Sequence, residues 1–186
     1  YEARRNLAEY PGAAAHIVTW AEAEDLERLR TDVQSLAKRA DVVIVYVHWG
    51  TSMTQYVHDF QKEIGHAAID AGAHAVFGGH QHVVCGIEFY KGCPIVHGSG
   101  NLLFDKWEPF FTDETLKTFL IGATLEPGRV RDIYALPVKN GVNEAPTLLP
   151  RADALWQEIH KDLALRSQPF DTKVTAREDR IEISPR

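Results

Sequence analysis

The chain reads as an α/β fold, and three stretches predict it. DVVIVYV (residues 41–47) is almost wholly β-branched and apolar, too continuous for a strand wet on one face, so it predicts a buried strand covered on both sides. HAVFG (residues 74–78) is a shorter run of the same kind. Between them Phe60, Ile64, Ala68 and Ala71 recur at near-helical spacing, and Gly72 follows as a C-terminal stop. This is a strand, helix, strand unit, in which the crossover is expected to be right-handed and the strands parallel.

Each strand of that unit runs straight into a histidine signal: His48-Trp49-Gly50 after the first, Gly79-His80-Gln81-His82 after the second. Parallel strands deliver both signals to one carboxyl edge, where open α/β sheets bind ligands. If the strands are neighbours, the three imidazoles converge. Imidazole is a favoured ligand for zinc, iron and manganese-class ions, and a His-x-His loop can turn its rings toward two different ions. A metal site at His48, His80 and His82 is therefore expected. A single histidine after a strand is an ordinary polar residue; three at matching strand ends, flanked by glycines, are read as functional. His16, His58 and His160 are expected on solvated faces or caps, and His66 to hydrogen-bond within its helix.

Taken in order, residues 1–15 form an irregular opening with a turn at Pro11-Gly12, and residues 16–19 a short strand. Thr19 and Glu22 stand at capping-box spacing before Leu26, Leu29, Val33, Leu36 and Ala40, one face of an amphipathic helix whose charged face is simply solvated. Residues 51–57 make a loop where substrate-facing loops usually sit. Trp49 and Tyr56 either flank a ligand there or cover the sheet edge. Asp59, Lys62, Glu63 and Asp70 decorate the outer face of the next helix. Residues 86–90 and 93–97 look like a hairpin turning at Lys91-Gly92, with Cys93 opposite Tyr90 and Cys85 opposite about Gly98. At about 3.3 Å per residue the sulfurs are too far apart for a disulfide, so both cysteines are read as free thiols and Cys85 as a buried small hydrophobe.

The hairpin leads into Gly98-Ser99-Gly100-Asn101. Asn101 is a metal ligand, a substrate orienter or a turn residue, and Asp105 is equally open. His97, beside this turn, is a further candidate for acid or base work. Beyond Trp107 the chain reads as support: a strand over 115–125, a turn at 126–129, a returning strand over 130–138 and a polar connection to 150. Leu155, Trp156, Ile159 and Leu163 stripe a helix ending near Gln168-Pro169, so residues 151–186 are a C-terminal helix and tail with a short strand near 181–183.

The 186 residues suit one domain with a sizeable core. Asp plus Glu exceed Lys plus Arg by six, which argues against a dedicated nucleic-acid surface and gives no electrostatic reason to bind anionic lipid. Within these residues neither a leader pattern nor a membrane anchor is expected, and no apolar run nears the roughly 18 residues of a spanning helix.

With these residues laid out, the chain resembles the CapA family, poly-γ-glutamate capsule biosynthesis proteins that share the fold of calcineurin-like metallophosphoesterases. The similarity is strong over about residues 37–105 and rests on His48-Trp49-Gly50, Gln61, residues 69–73, residues 79–82, Gly86-Ile87-Glu88, Tyr90-Lys91-Gly92 and Gly100-Asn101 followed by Phe104-Asp105. It implies a layered sheet and helix fold with the strand, helix, strand unit and antiparallel hairpins, of which this chain is the C-terminal part. It implies a two-metal centre of Mn, Fe or Zn in which His48 and His80 share one ion and His82 holds the other. The remaining aspartate, asparagine or histidine ligands would come from an N-terminal half that is expected outside this chain, making that half its first partner. The chain departs from the usual pattern at Gly79 and Gln81, where a histidine and a proline are common, and at His74 and His97.

Three functions follow from that resemblance. The first is a metal-dependent hydrolase or transferase acting on a phosphate ester or an amide-linked polymer such as poly-γ-glutamate. The second is a non-catalytic component of capsule assembly. The third is a metal-independent acid/base enzyme, such as a peptide epimerase, pairing His48, His80, His82 or His97 with a carboxylate from the N-terminal half. The first two imply the bacterial cell envelope or exterior, the third the cytoplasm.

Overall fold

The computed structural model describes residues 21–103, 112–140, 145–178 and 180–186. The strand, helix, strand unit is present as expected. Strand β1 (Ile44–His48) and strand β2 (Ala75–Gly79) pair in parallel, joined by helix α2 (Asp59–Asp70). Helix α1 (Ala23–Ala37) precedes them. Glu22 caps α1, and its backbone N–H donates to the Asp25 carboxylate at 3.1 Å, so this cap begins at Glu22; Thr19 lies outside the described residues. His58 caps α2 in the same way, paired with Gln61, and Gly72 ends the segment in the left-handed conformation (φ 109°).

The hairpin of β3 (Ile87–Tyr90) and β4 (Cys93–Val96) adds to β2, giving the sheet order β1-β2-β4-β3. Lys91 and Gly92 turn with positive φ, as a two-residue hairpin demands, and place Tyr90 opposite Cys93. The Cys85 N–H donates to the Gly98 carbonyl at 2.9 Å, which confirms the expected register, and both cysteines are free.

A second, antiparallel sheet runs β5 (Lys117–Glu126), β6 (Arg129–Lys139), β9 (Arg180–Pro185), β8 (Thr172–Arg177), with the short β7 (Thr147–Leu148) on β6. Helix α3 (Ala154–Ser167) bridges the two sheets. Its Trp156, Ile159 and Leu163 are fully buried, each stabilising the fold by about 1.5–3 kcal/mol. The Ser167 hydroxyl accepts the Ile87 N–H at 3.0 Å, and the Gly86 backbone passes so close to Arg166 that a Cβ there would lie 2.3 Å from its carbonyl oxygen. The tail expected after α3 is thus a full hairpin. Its first strand, TKVTAR, buries only Thr172 and shows too weak an alternation to announce itself.

Neighbouring residues of β4 show how the layers divide. Ile95 packs with Val43, Trp49 and Val76 beneath α1 and α2, whereas Val96 packs with Ile87, Phe119 and Trp156. This second core covers β3 and β4 but stops short of β1. Ile44 and Tyr46 on that face are 44% and 72% exposed, and His48 is exposed with them. The expectation that β1 is covered on both sides is therefore corrected: among the described residues it is an edge strand with one bare face. No helix of the described residues is long and apolar enough to cross a membrane.

Candidate functional site

The in-register pairing of β1 and β2 places His48 directly opposite Gly79, so His80 emerges beside it. The two rings lie 4.5 Å apart between centroids, inclined by 49°. His82 completes the group, its ring 6.0 Å from that of His80. The structure thus brings together the three histidines expected as ligands. Both motif histidines take positive φ, 102° at His80 and 63° at His82. Such backbone costs about 1–3 kcal/mol for each non-glycine residue, and it persists where surrounding structure over-determines it. Here the Trp49 N–H donates to the Gly79 carbonyl at 3.1 Å and the Met53 N–H to the Gln81 carbonyl at 2.8 Å.

Asn101 lies beside His82 as its hydrogen-bond partner, a role not among those expected of it. It is buried at the rim, where its Oδ1 accepts from His82 Nδ1 at 2.8 Å and its Nδ2 donates to the Thr115 carbonyl at 3.3 Å. A proton held on Nδ1 by this bond leaves the ring's acceptor lone pair on Nε2. Gly100 permits this approach: its φ is 85°, and a Cβ would fall 2.3 Å from the Lys117 carbonyl oxygen. Burial, and then the neighbouring His48 and His82, lower the proton affinity of His80, which favours the neutral imidazole a metal requires. Among the described residues no three histidine, cysteine or carboxylate side chains form a cage for an ion. The three imidazoles are an open donor set whose chemistry suits a borderline metal.

Two expected site residues stand apart. Trp49 is only 4% exposed, turned inward beneath α2, and its Nε1–H donates to the His97 carbonyl at 2.9 Å. It braces the sheet and does not flank a ligand. His97 is fully buried and stacks on Trp49 with centroids 5.5 Å apart. Trp49, the residue after β1, packs in the core beneath α1 and α2, so His97, stacked on it, belongs to the face opposite the exposed row of Ile44, Tyr46 and His48. Its Nε2–H donates to Glu88 at 3.2 Å, and His66 donates to the other Glu88 oxygen at 2.6 Å. Burial drives the Glu88 carboxyl up, but the two imidazole hydrogen bonds outweigh it and hold the group below its ordinary value. Burial also lowers the proton affinity of His97, against the opposing pull of Glu88. This His66–Glu88–His97 bridge was not expected. Its signal was an acid between apolar residues on β3, where Glu88 stands between Ile87 and Phe89.

Tyr56 is 62% exposed and meets His58 edge to face. Its loop is fastened by Gln55, which donates to Glu114 at 2.5 Å and accepts from Arg166. Glu114 also pairs with buried Lys117, which bonds Asp162 at 2.7 Å. His16, Phe104, Asp105 and Trp107 lie outside the described residues.

Residues 2–106 match the family described as Bacterial capsule synthesis protein PGA_cap. Over 149 residues, 77% of the chain and 37% of the relative, the sequence is 38% identical to the PGA biosynthesis protein CapA of Bacillus subtilis (strain 168). It is 26% identical to the capsule biosynthesis protein CapA of Bacillus anthracis over 66% of the chain and 29% of that protein. A probable polyglutamine synthesis accessory protein of Mycobacterium tuberculosis (strain ATCC 25618 / H37Rv) is 29% identical over 78% of the chain and 39% of its own length. The chain therefore spans less than half the length of these curated relatives.

Proposed function

The chain belongs to the bacterial capsule synthesis protein PGA_cap family, and from that membership we propose that its histidine rim is part of the centre of a metal-dependent hydrolase or transferase serving poly-γ-glutamate capsule synthesis. The observation that carries this reading is the convergence of His48, His80 and His82 on one sheet edge, with Asn101 Oδ1 2.8 Å from His82 Nδ1. His48 and His80 would hold one divalent ion and His82 a second. Ions of the Mn, Fe or Zn class supply Lewis acidity and an acidified water at neutral pH, the chemistry needed for a phosphate ester or an amide-linked polymer.

The chain's own residues have separable tasks. The imidazoles present lone pairs, Asn101 fixes the orientation of one of them, and Tyr56 and Met53, both exposed on the adjoining loop, supply surface for an extended substrate. The bare face of β1 supports a further part of the reading. Ile44, Tyr46 and His48 form an exposed row beside an incomplete donor set, which suits a segment of the same protein that would cover the strand and contribute the missing oxygen ligands.

The test is turnover of poly-γ-glutamate and of an aryl phosphate ester by the intact natural protein, before and after chelation, beside His80→Ala and His82→Ala. Activity lost on chelation and in both variants supports the proposal. Activity surviving chelation overturns it in favour of metal-independent acid/base chemistry. Capsule formation unaffected by either variant overturns it in favour of a non-catalytic assembly role.

A further inference from the structure

Between the two motif histidines stands a residue that the metal reading leaves unused. Gln81 is 1% exposed, and neither its Nε2 nor its Oε1 has a hydrogen-bond partner among the described residues. Its side chain occupies a slot bounded by two glycines. A Cβ on Gly50 would lie 2.7 Å from Gln81 Nε2 and 3.0 Å from its Cγ, and a Cβ on Gly98 would lie 3.1 Å from its Oε1. Gly50 itself has a φ of 87°, and Met53, tethered through its N–H to the Gln81 carbonyl, has a φ of 62°.

An unpaired buried amide is unfavourable, and so is left-handed backbone at a non-glycine residue. Residues 80–82 carry all three costs in succession, at the turn that aims two of the three imidazoles. A core filler would not concentrate them there. We infer that Gln81 is a positioning residue: its side chain is a wedge, seated between Gly50 and Gly98, that holds His80 and His82 in the conformation from which their rings meet His48 and Asn101. The same wedge links the motif to the loop over residues 50–53, because one face of it is Gly50 and its carbonyl anchors Met53. The amide atoms have no partner among the described residues, so the length of the side chain does the positioning, and an unbranched apolar residue of equal length replaces it.

This deepens the metal reading and rests on it only for the ion; the ring geometry stands without one. The experiment compares Gln81→Ala and Gln81→Met in the intact natural protein. Nuclear Overhauser contacts between the His48 and His80 rings, and the Nδ1–H tautomer of His82 from its ring nitrogen shifts, are read without added metal. Zinc and manganese affinities are then measured by calorimetry. Gln81→Ala is expected to lose the ring contact and the single tautomer and to weaken metal binding by about 10- to 100-fold. Gln81→Met is expected to keep all three near native and to melt no lower than the native protein. Native signals in Gln81→Ala would overturn the inference, and so would their loss in a folded Gln81→Met. Ring signatures that follow the prediction while native protein binds neither metal support the positioning role and remove the metal reading alone.

Discussion

Replacing Asn101 by alanine separates the orientation of His82 from the stability of the fold. The substitution removes a 2.8 Å hydrogen bond to His82 Nδ1 and a longer one, 3.3 Å, from Nδ2 to the Thr115 carbonyl. His82 is only half-buried, so water can replace its partner at little cost. Thr115 is fully buried, and withdrawing a donor from its carbonyl carries part of a desolvation penalty. With about 1 kcal/mol for each bond and about 1 kcal/mol for that penalty, the loss is roughly 2–3 kcal/mol. For a chain of this size that lowers Tm by about 4–12 °C. Metal affinity, measured by calorimetry on folded protein, should fall about 10- to 100-fold because the His82 tautomer is no longer fixed. Asn101→Asp restores an acceptor to His82 but cannot donate to Thr115. It should therefore recover affinity while remaining less stable than the native protein. Equal affinity in Asn101→Ala and native protein, or no recovery in Asn101→Asp, would refute the orienting role.

Further predictions concern the interior. Gly78→Ala would place a Cβ 2.0 Å from Trp49 Nε1 and 2.5 Å from the His97 carbonyl oxygen, so urea unfolding should show a loss of about 2–4 kcal/mol; an unchanged midpoint contradicts this packing. Acid should destabilise the fold. Burial depresses the proton affinity of His97, so the unfolded chain takes up its proton first, near 6.5, and stability falls as pH drops below that value. Glu88, held low, adds a second loss as pH falls through its folded value. In His97→Gln the denaturation midpoint should change less between pH 7 and pH 5 than in native protein, and an equal change would refute the assignment. Burial pushes the Cys85 thiol up to about 12 and leaves it inaccessible. A thiol reagent at neutral pH should modify at most Cys93 until the chain unfolds, and two rapid reactions would contradict the fold.

The elements legible in the sequence were those with a local cause. Hydrophobic continuity announced β1 and β2, the Lys91-Gly92 pair set the hairpin register, and the stripe through Trp156 and Leu163 marked α3. The convergence of His48, His80 and His82 followed from the parallel pairing of the two strands that the crossover joins. What escaped was decided by tertiary neighbours. Continuity in residues 41–47 suggested cover on both faces, yet the second layer reaches only β3 and β4, leaving Tyr46 exposed. His97 and Trp49 sit beside the motifs in sequence, but strand alternation sends them to the opposite face, where Glu88 and His66 wait. Asn101 was legible as a polar turn residue; its partner, nineteen positions earlier, was not. Gln81 looked like a departure from a motif, and only the two glycines packed against it gave it a role.

Elemental analysis of the intact protein purified without chelator, set beside His48→Ala, His80→Ala and His82→Ala, bears most directly on the rim of three imidazoles. The account predicts stoichiometric Mn, Fe or Zn in native protein, with that content reduced in every variant while each remains folded. Native protein free of metal, or variants that retain the full native content, would contradict it.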